Sequence, residues 1–146
     1  MSTPTILFAC IHNSGRSVAA QKIAQRYAGD RARILSAGSA PGAGVNPAVA
    51  EILAERGIST DDHVPTMLDR DLVEKVDVVI TMGCGETCPV FPGKRYEDWE
   101  LADPKGRPTD VVRGIVDDID QRVRQLLATL HIAASDAHQV TLGEGE

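Results

Sequence analysis

Thr5-Ile6-Leu7-Phe8-Ala9-Cys10-Ile11-His12-Asn13-Ser14-Gly15-Arg16-Ser17 opens as an apolar run and continues as a short polar stretch with one glycine. Thr5 to Ala9 reads as a buried strand that ends at Cys10, and Ile11 to Arg16 as a loop. From Ser17 the apolar positions Val18, Ala19, Ile23, Ala24 and Tyr27 have helical spacing and stop at Gly29-Asp30. A loop of this length between a strand and a helix can turn the amides of Ile11, His12, Asn13, Ser14, Gly15, Arg16 and Ser17 toward one anion. The positive end of the helix adds to them. Arg16 can hold two oxygens in its planar fork. The same donors favour a thiolate, so Cys10 in this C-x5-R-S pattern is expected to be a nucleophile. Ser17 is placed to hydrogen-bond that sulfur or a leaving group. Asn13 suits a positive φ that braces the loop. A buried, inert cysteine at a strand end is the competing reading, and the strand–loop–helix setting outweighs it.

Arg33 to Ser36 reads as a second strand, followed by a Gly- and Pro-rich loop from Gly38 to Asn46. Pro47 suits a first helical position, and Val49, Ile52 and Leu53 give that helix an apolar face ending at Gly57. A short helix is expected over Asp69 to Lys75. The β-branched run Val76 to Met82 has the composition of a central parallel strand. Gly83 to Gly93 is an irregular loop holding Cys84 and Cys88, and Tyr96 to Trp99 is a candidate edge strand. Asp103-Pro104 opens another loop, and Val111 to Leu130 is the longest helical pattern. Alternating strands and helices predict an α/β fold with a parallel sheet covered on both faces. Ligands then bind beyond the C-terminal strand ends, where this order puts all three cysteines. One domain is expected over residues 1–132, with a polar, frayed tail over 133–146.

The 146 residues suffice for a core without disulfides or metals, and the 3% aromatic content means that core is aliphatic. A net charge of -6 without a Lys/Arg cluster argues against nucleic acid, and no apolar run approaches a membrane span. The N-terminus lacks the features of a signal peptide, so a cytoplasmic protein is expected. Three cysteines in such a chain point to thiol chemistry or metal binding, not a disulfide framework. His12, His63, His131 and His138 lack ligand spacing and read as solvated or capping residues, so no resident metal is expected. Trp99 reads as a packing anchor, and Arg107 and Arg113 as surface residues. Asp61-Asp62 and Asp117-Asp118 read as solvated charge.

The Cys10 loop, Ser36-Ala37-Gly38, Val45-Asn46-Pro47, Cys88-Pro89 and Trp99 through Asp103-Pro104 occur in an order that resembles the arsenate reductases related to low-molecular-weight tyrosine phosphatases. The resemblance runs from about Thr5 to Leu130. It implies a three-layer fold with a four-stranded parallel sheet flanked by helices, Cys10 as nucleophile, Arg16 as oxyanion clamp and Asp103 as general acid. The acid would protonate the leaving oxygen. Tyrosine phosphatases of this fold usually carry aromatic residues after the Asp-Pro, where this chain has Lys105 and Gly106.

The resemblance further implies reduction of arsenate to arsenite, with phosphate or sulfate as substrate mimics. Cys10 would form a thiol–arsenate adduct, Cys84 would attack the Cys10 sulfur as arsenite leaves, and Cys88 would then resolve the Cys10–Cys84 bond. The resulting Cys84–Cys88 disulfide would pass to an external thiol reductant, with thioredoxin preferred and no tightly bound cofactor. Residues four apart in a helical turn are separated by about 6 Å, which a disulfide can span. This C-x3-C spacing is shorter than in the thioredoxin-coupled relatives, so direct attack by glutathione, mycothiol or bacillithiol, making the chain an arsenate–thiol transferase, stays open. A tyrosine phosphatase is the other enzyme reading. A thiol-based metal or arsenite sensor is the alternative of a different class, opposed by the cation of Arg16 beside the thiol.

Overall fold

In the computed structural model, residues 3–82 and 94–132 are described. Four strands form one sheet: β1 (Thr5–Cys10), β2 (Arg33–Gly38), β3 (Val78–Thr81) and β4 (Arg95–Asp98). Their order is β2-β1-β3-β4 and every pairing is parallel. The helices are α1 (Arg16–Ala28), α2 (Pro47–Glu55), α3 (Arg70–Glu74) and α4 (Thr109–Thr129). A 3₁₀ turn over Gly29–Arg31 follows α1. The three-layer, four-stranded parallel α/β fold expected from the sequence is the one observed.

Alternation along β1 explains the layers. Ile6, Phe8 and Cys10 face a core built with α1, α2 and α4, whereas Leu7 and Ala9 face a smaller one with Ala37, Leu68, Val73, Val76 and Val79. With both faces covered, β1 must be apolar throughout, which is why it reads as a continuous run. Phe8 packs on Trp99 at a ring-centroid distance of 5.7 Å, anchoring the chain just beyond β4 under the larger core. Burying side chains of this size contributes about 1.5–3 kcal/mol each.

Element ends follow local chemistry. Asn46 caps α2, its Oδ1 accepting from the amides of Ala48 (2.9 Å) and Val49 (3.2 Å), with Pro47 directly after it. Asp69 caps α3 by accepting from Leu72 N at 2.8 Å. His131 ends α4 with φ 60, while Ile132 N donates to Leu127 O. The third strand is shorter than the apolar run Val76 to Met82. Its two flanks still bond to β1, Asp77 N donating to Thr5 O and Met82 N to Ala9 O. Gly38, read from sequence as loop, is the last residue of β2, and β4 starts one residue before its sequence estimate. The Gly83–Gly93 loop and the tail 133–146 lie outside the described residues. Among the described residues, no helix is long and apolar enough to cross a membrane.

Candidate active site

β1 delivers Cys10 to the C-terminal edge of the sheet, where only 2% of the residue is exposed. The sulfur is held by two donors. Ser17 Oγ lies 2.9 Å from Cys10 Sγ, and the Asn13 amide donates to the same sulfur at 3.3 Å. Asn13 Nδ2 donates to Ser17 Oγ at 2.9 Å, so the Ser17 proton is free to point at sulfur. This arrangement suits a thiolate, because both groups donate to it. Asn13 is fully buried with φ 52, one of two non-glycine residues with positive φ among those described.

The loop is braced from outside. The carbonyls of Ile11, His12 and Ser14 accept from the amides of Ala40, Gly42 and Asn46 at 2.7, 2.9 and 2.7 Å. Cys10 O takes Ser39 N, and Gly15 O takes Ala19 N in the first turn of α1. Asn13 O accepts from His63 Nε2 at 2.9 Å, and Asn13 Oδ1 accepts from Thr66 N at 2.9 Å. Every carbonyl from Cys10 to Gly15 therefore has a partner outside the turn itself. The amides are left as its characteristic groups for an anion. No acidic side chain occupies the first turn of α1, so its positive end is uncompensated there. Gly38 is required beneath the loop, since a Cβ would lie 2.6 Å from Ile11 O and 2.8 Å from Asn13 N.

Above the thiol is an open cleft of about 660 Å³. Arg16 sits at its base, 7% exposed, with Nη1 donating to Leu101 O at 3.3 Å. Its Nη2 is 3.8 Å from Asp103 Oδ2, and Asp103 is half-exposed on the rim. Asp103 Oδ1 also accepts from Lys105 N at 3.0 Å. The segment from Gly42 to Pro47 forms the opposite wall, and no Phe, Tyr or Trp lines the cleft among the described residues. The arrangement can hold a small tetrahedral oxyanion against sulfur, with a carboxyl group nearby to move a proton.

Residues 5–135 match the model of the low molecular weight phosphotyrosine protein phosphatase family. The chain belongs to this family. Within it, the chain is 35% identical to arsenate reductase 1 of Bacillus cereus over 130 residues, covering 86% of this chain and 95% of that protein. Among solved structures it is similar to a thioredoxin-dependent arsenate reductase of Corynebacterium glutamicum, at 43% identity and a TM-score of 0.79. That match covers 88% of this chain and 62% of the other, so this chain spans less than two thirds of that relative. An arsenate reductase from Archaeoglobus fulgidus is similar at 30% identity and a TM-score of 0.73, covering 84% of this chain and 98% of that one.

In this low-molecular-weight phosphatase-family chain, Cys10, the Ile11–Ser17 segment, Arg16 and Asp103 meet at one cleft. Cys84 and Cys88 lie outside the described residues. The sequence reading of His12 and His63 as solvated or capping residues is corrected in part. His63 is bonded to Asn13 O, and His12 Nδ1 to Ala40 O at 3.2 Å, so both brace the loop. His138 lies outside the described residues. Arg113 pairs with Glu55, away from the cleft, and Trp99 is a buried packing residue. The solvated acids have partners too: Lys22 with Asp62, Arg56 with Asp117 and Arg122 with Asp118. Three contributors were missed: Thr66, the Leu101 carbonyl and Lys105 as a rim residue. Their signal is tertiary, since Thr66 and Leu101 reach the loop across 53 and 85 residues of chain.

Proposed function

We propose that this chain is a cytoplasmic arsenate reductase acting through Cys10. The observation that carries the reading is a sulfur held by Ser17 Oγ and Asn13 N at the floor of a cleft with Arg16 and Asp103 above it. The names of the Bacillus cereus and Corynebacterium glutamicum relatives support the same reaction. The described residues that line the cleft include no aromatic side chain, which favours a small inorganic anion over an aryl ester.

The Cys10 thiolate attacks arsenic while Arg16 and the loop amides hold the oxygens. Asp103 protonates the departing oxygen, which leaves as water. Cys84 then attacks the Cys10 sulfur. The S–As electron pair goes to arsenic, arsenite leaves, and a Cys10–Cys84 disulfide forms. Cys88 attacks Cys84, releases Cys10 and leaves a Cys84–Cys88 disulfide, which an external dithiol reduces. The two electrons required by arsenic thus come from two thiols. Thioredoxin is the proposed reductant, supported by the name of the Corynebacterium glutamicum relative. The catalytic unit comprises residues 1–132, and residues 133–146 are a tail outside it.

The test is arsenate-dependent NADPH consumption with thioredoxin and thioredoxin reductase. Sustained turnover that vanishes in Cys10→Ser is expected. Turnover only with glutathione, mycothiol or bacillithiol would make the chain an arsenate–thiol transferase. Brisk aryl phosphate hydrolysis without arsenite would make it a phosphatase.

A further inference from the structure

Among the described residues lining the cleft, Arg16 is the one buried cation, and its guanidinium already lies 3.8 Å from Asp103 Oδ2. A doubly charged oxyanion must reach it through the field of a chain of net charge -6. The opposite wall, Gly42 to Pro47, holds no charged side chain. Lys105 is the second cation on the lining. It is exposed, and its ammonium has no ion-pair partner among the described residues. Its position is fixed by its own backbone, because Lys105 N donates to Asp103 Oδ1 at 3.0 Å. Gly106 follows with φ 73, a turn that a residue with a side chain would strain, and Arg107 N closes it on Pro104 O at 3.1 Å.

We infer that Lys105 is a substrate-binding residue: the rim cation that joins Arg16 in drawing a doubly charged inorganic oxyanion into the cleft. The inference deepens the reading of this cleft as an oxyanion site and rests on it. An ammonium suits this place better than a guanidinium. It is a compact point charge on a flexible stem that can meet an incoming anion and follow it toward Arg16. An exposed rim charge acts on capture more than on chemistry, and its effect is screened by salt.

The experiment is calorimetric titration of the full reduced chain with inorganic phosphate, in wild type, Lys105→Gln, Lys105→Arg and Lys75→Gln. Lys75 follows α3 at the opposite edge of the sheet, so its substitution makes the same change in net charge away from the cleft. Lys105→Gln should weaken phosphate binding about threefold to tenfold at low salt. Lys105→Arg should recover most of the loss, and Lys75→Gln should change affinity less than about twofold. Raising ionic strength should weaken the wild type more steeply than Lys105→Gln. Equal affinity in wild type and Lys105→Gln would overturn the assignment, and so would equal losses in Lys105→Gln and Lys75→Gln. Because binding is read directly, a chain that binds phosphate in this pattern but reduces no arsenate would overturn the proposed reaction and leave Lys105 assigned. A wild type that binds no phosphate would overturn both.

Discussion

Gly15 and Pro104 are in such close approach that a Cβ at position 15 would lie 2.8 Å from Pro104 Cγ. The loop that cradles the thiol and the loop that carries Asp103 therefore rest directly on each other. The glycine at this point meets a spacing requirement, since its missing Cβ leaves room for the Pro104 ring.

Gly15→Ala should push the Asp103 loop outward and lower turnover about tenfold to a hundredfold, as misplacing a catalytic group by an ångström commonly does. Pro104→Ala removes the atom in the way. The double variant should be faster than Gly15→Ala alone, and steady-state kinetics on the four proteins of the cycle measures this coupling. Equal rates for Gly15→Ala and the double variant would rule out the contact as the cause.

Asn13 links four partners around the sulfur, accepting from Thr66 and His63 and donating to Ser17 and Cys10. Asn13→Ala should destabilise the fold by about 1–3 kcal/mol, because it removes a partner from the buried Ser17 and from the part-buried Thr66 amide. It also puts alanine at a positive φ. Asn13→Gly relieves only the backbone part, so denaturant unfolding should show partial recovery of stability while turnover stays low. Recovery of full activity with glycine would mean that φ, and not the side-chain bonds, is what the loop needs.

The strands and their alternation were legible because both faces of β1 are buried, which leaves an uninterrupted apolar run. Cys10, Asn13, Arg16 and Ser17 were legible because one local strand–loop–helix unit contains them all. The outer brace was not. His63 and Thr66 sit in a polar connection with no periodicity, and only the crossover from α2 carries that segment beneath Asn13. Gly38 looked like loop sequence because glycine is a turn residue. Its true constraint is a neighbour, the Ile11 carbonyl, 27 residues earlier in the chain. Asp103 was recognised through family resemblance, since Asp-Pro alone is ordinary turn chemistry.

The ion pair between Glu55 and Arg113 ties the end of α2 to α4. The hydrogen bond from Arg113 is the largest cause holding the Glu55 carboxyl below its ordinary value of 4.5. A carboxylate depressed in the folded state adds stability that is fully present above the unfolded value and is lost as pH falls through the folded one. Glu55→Gln should therefore melt lower than wild type at neutral pH, and the two curves should converge in acid below 4.5. The difference should be small and should shrink in salt, as for exposed pairs generally. A gap that widens on acidification would reverse the assigned sign.

The most direct measurement is a single turnover: fully reduced protein is mixed with arsenate without external reductant, arsenite is quantified, and the disulfides are mapped by mass spectrometry. Reduction through Cys10 predicts about one arsenite per chain, a Cys84–Cys88 disulfide and a free Cys10 thiol. Cys84→Ser should yield no arsenite, and Cys88→Ser should stop at a Cys10–Cys84 disulfide. No arsenite from the reduced wild type, with all three thiols still free, would contradict the proposed reaction.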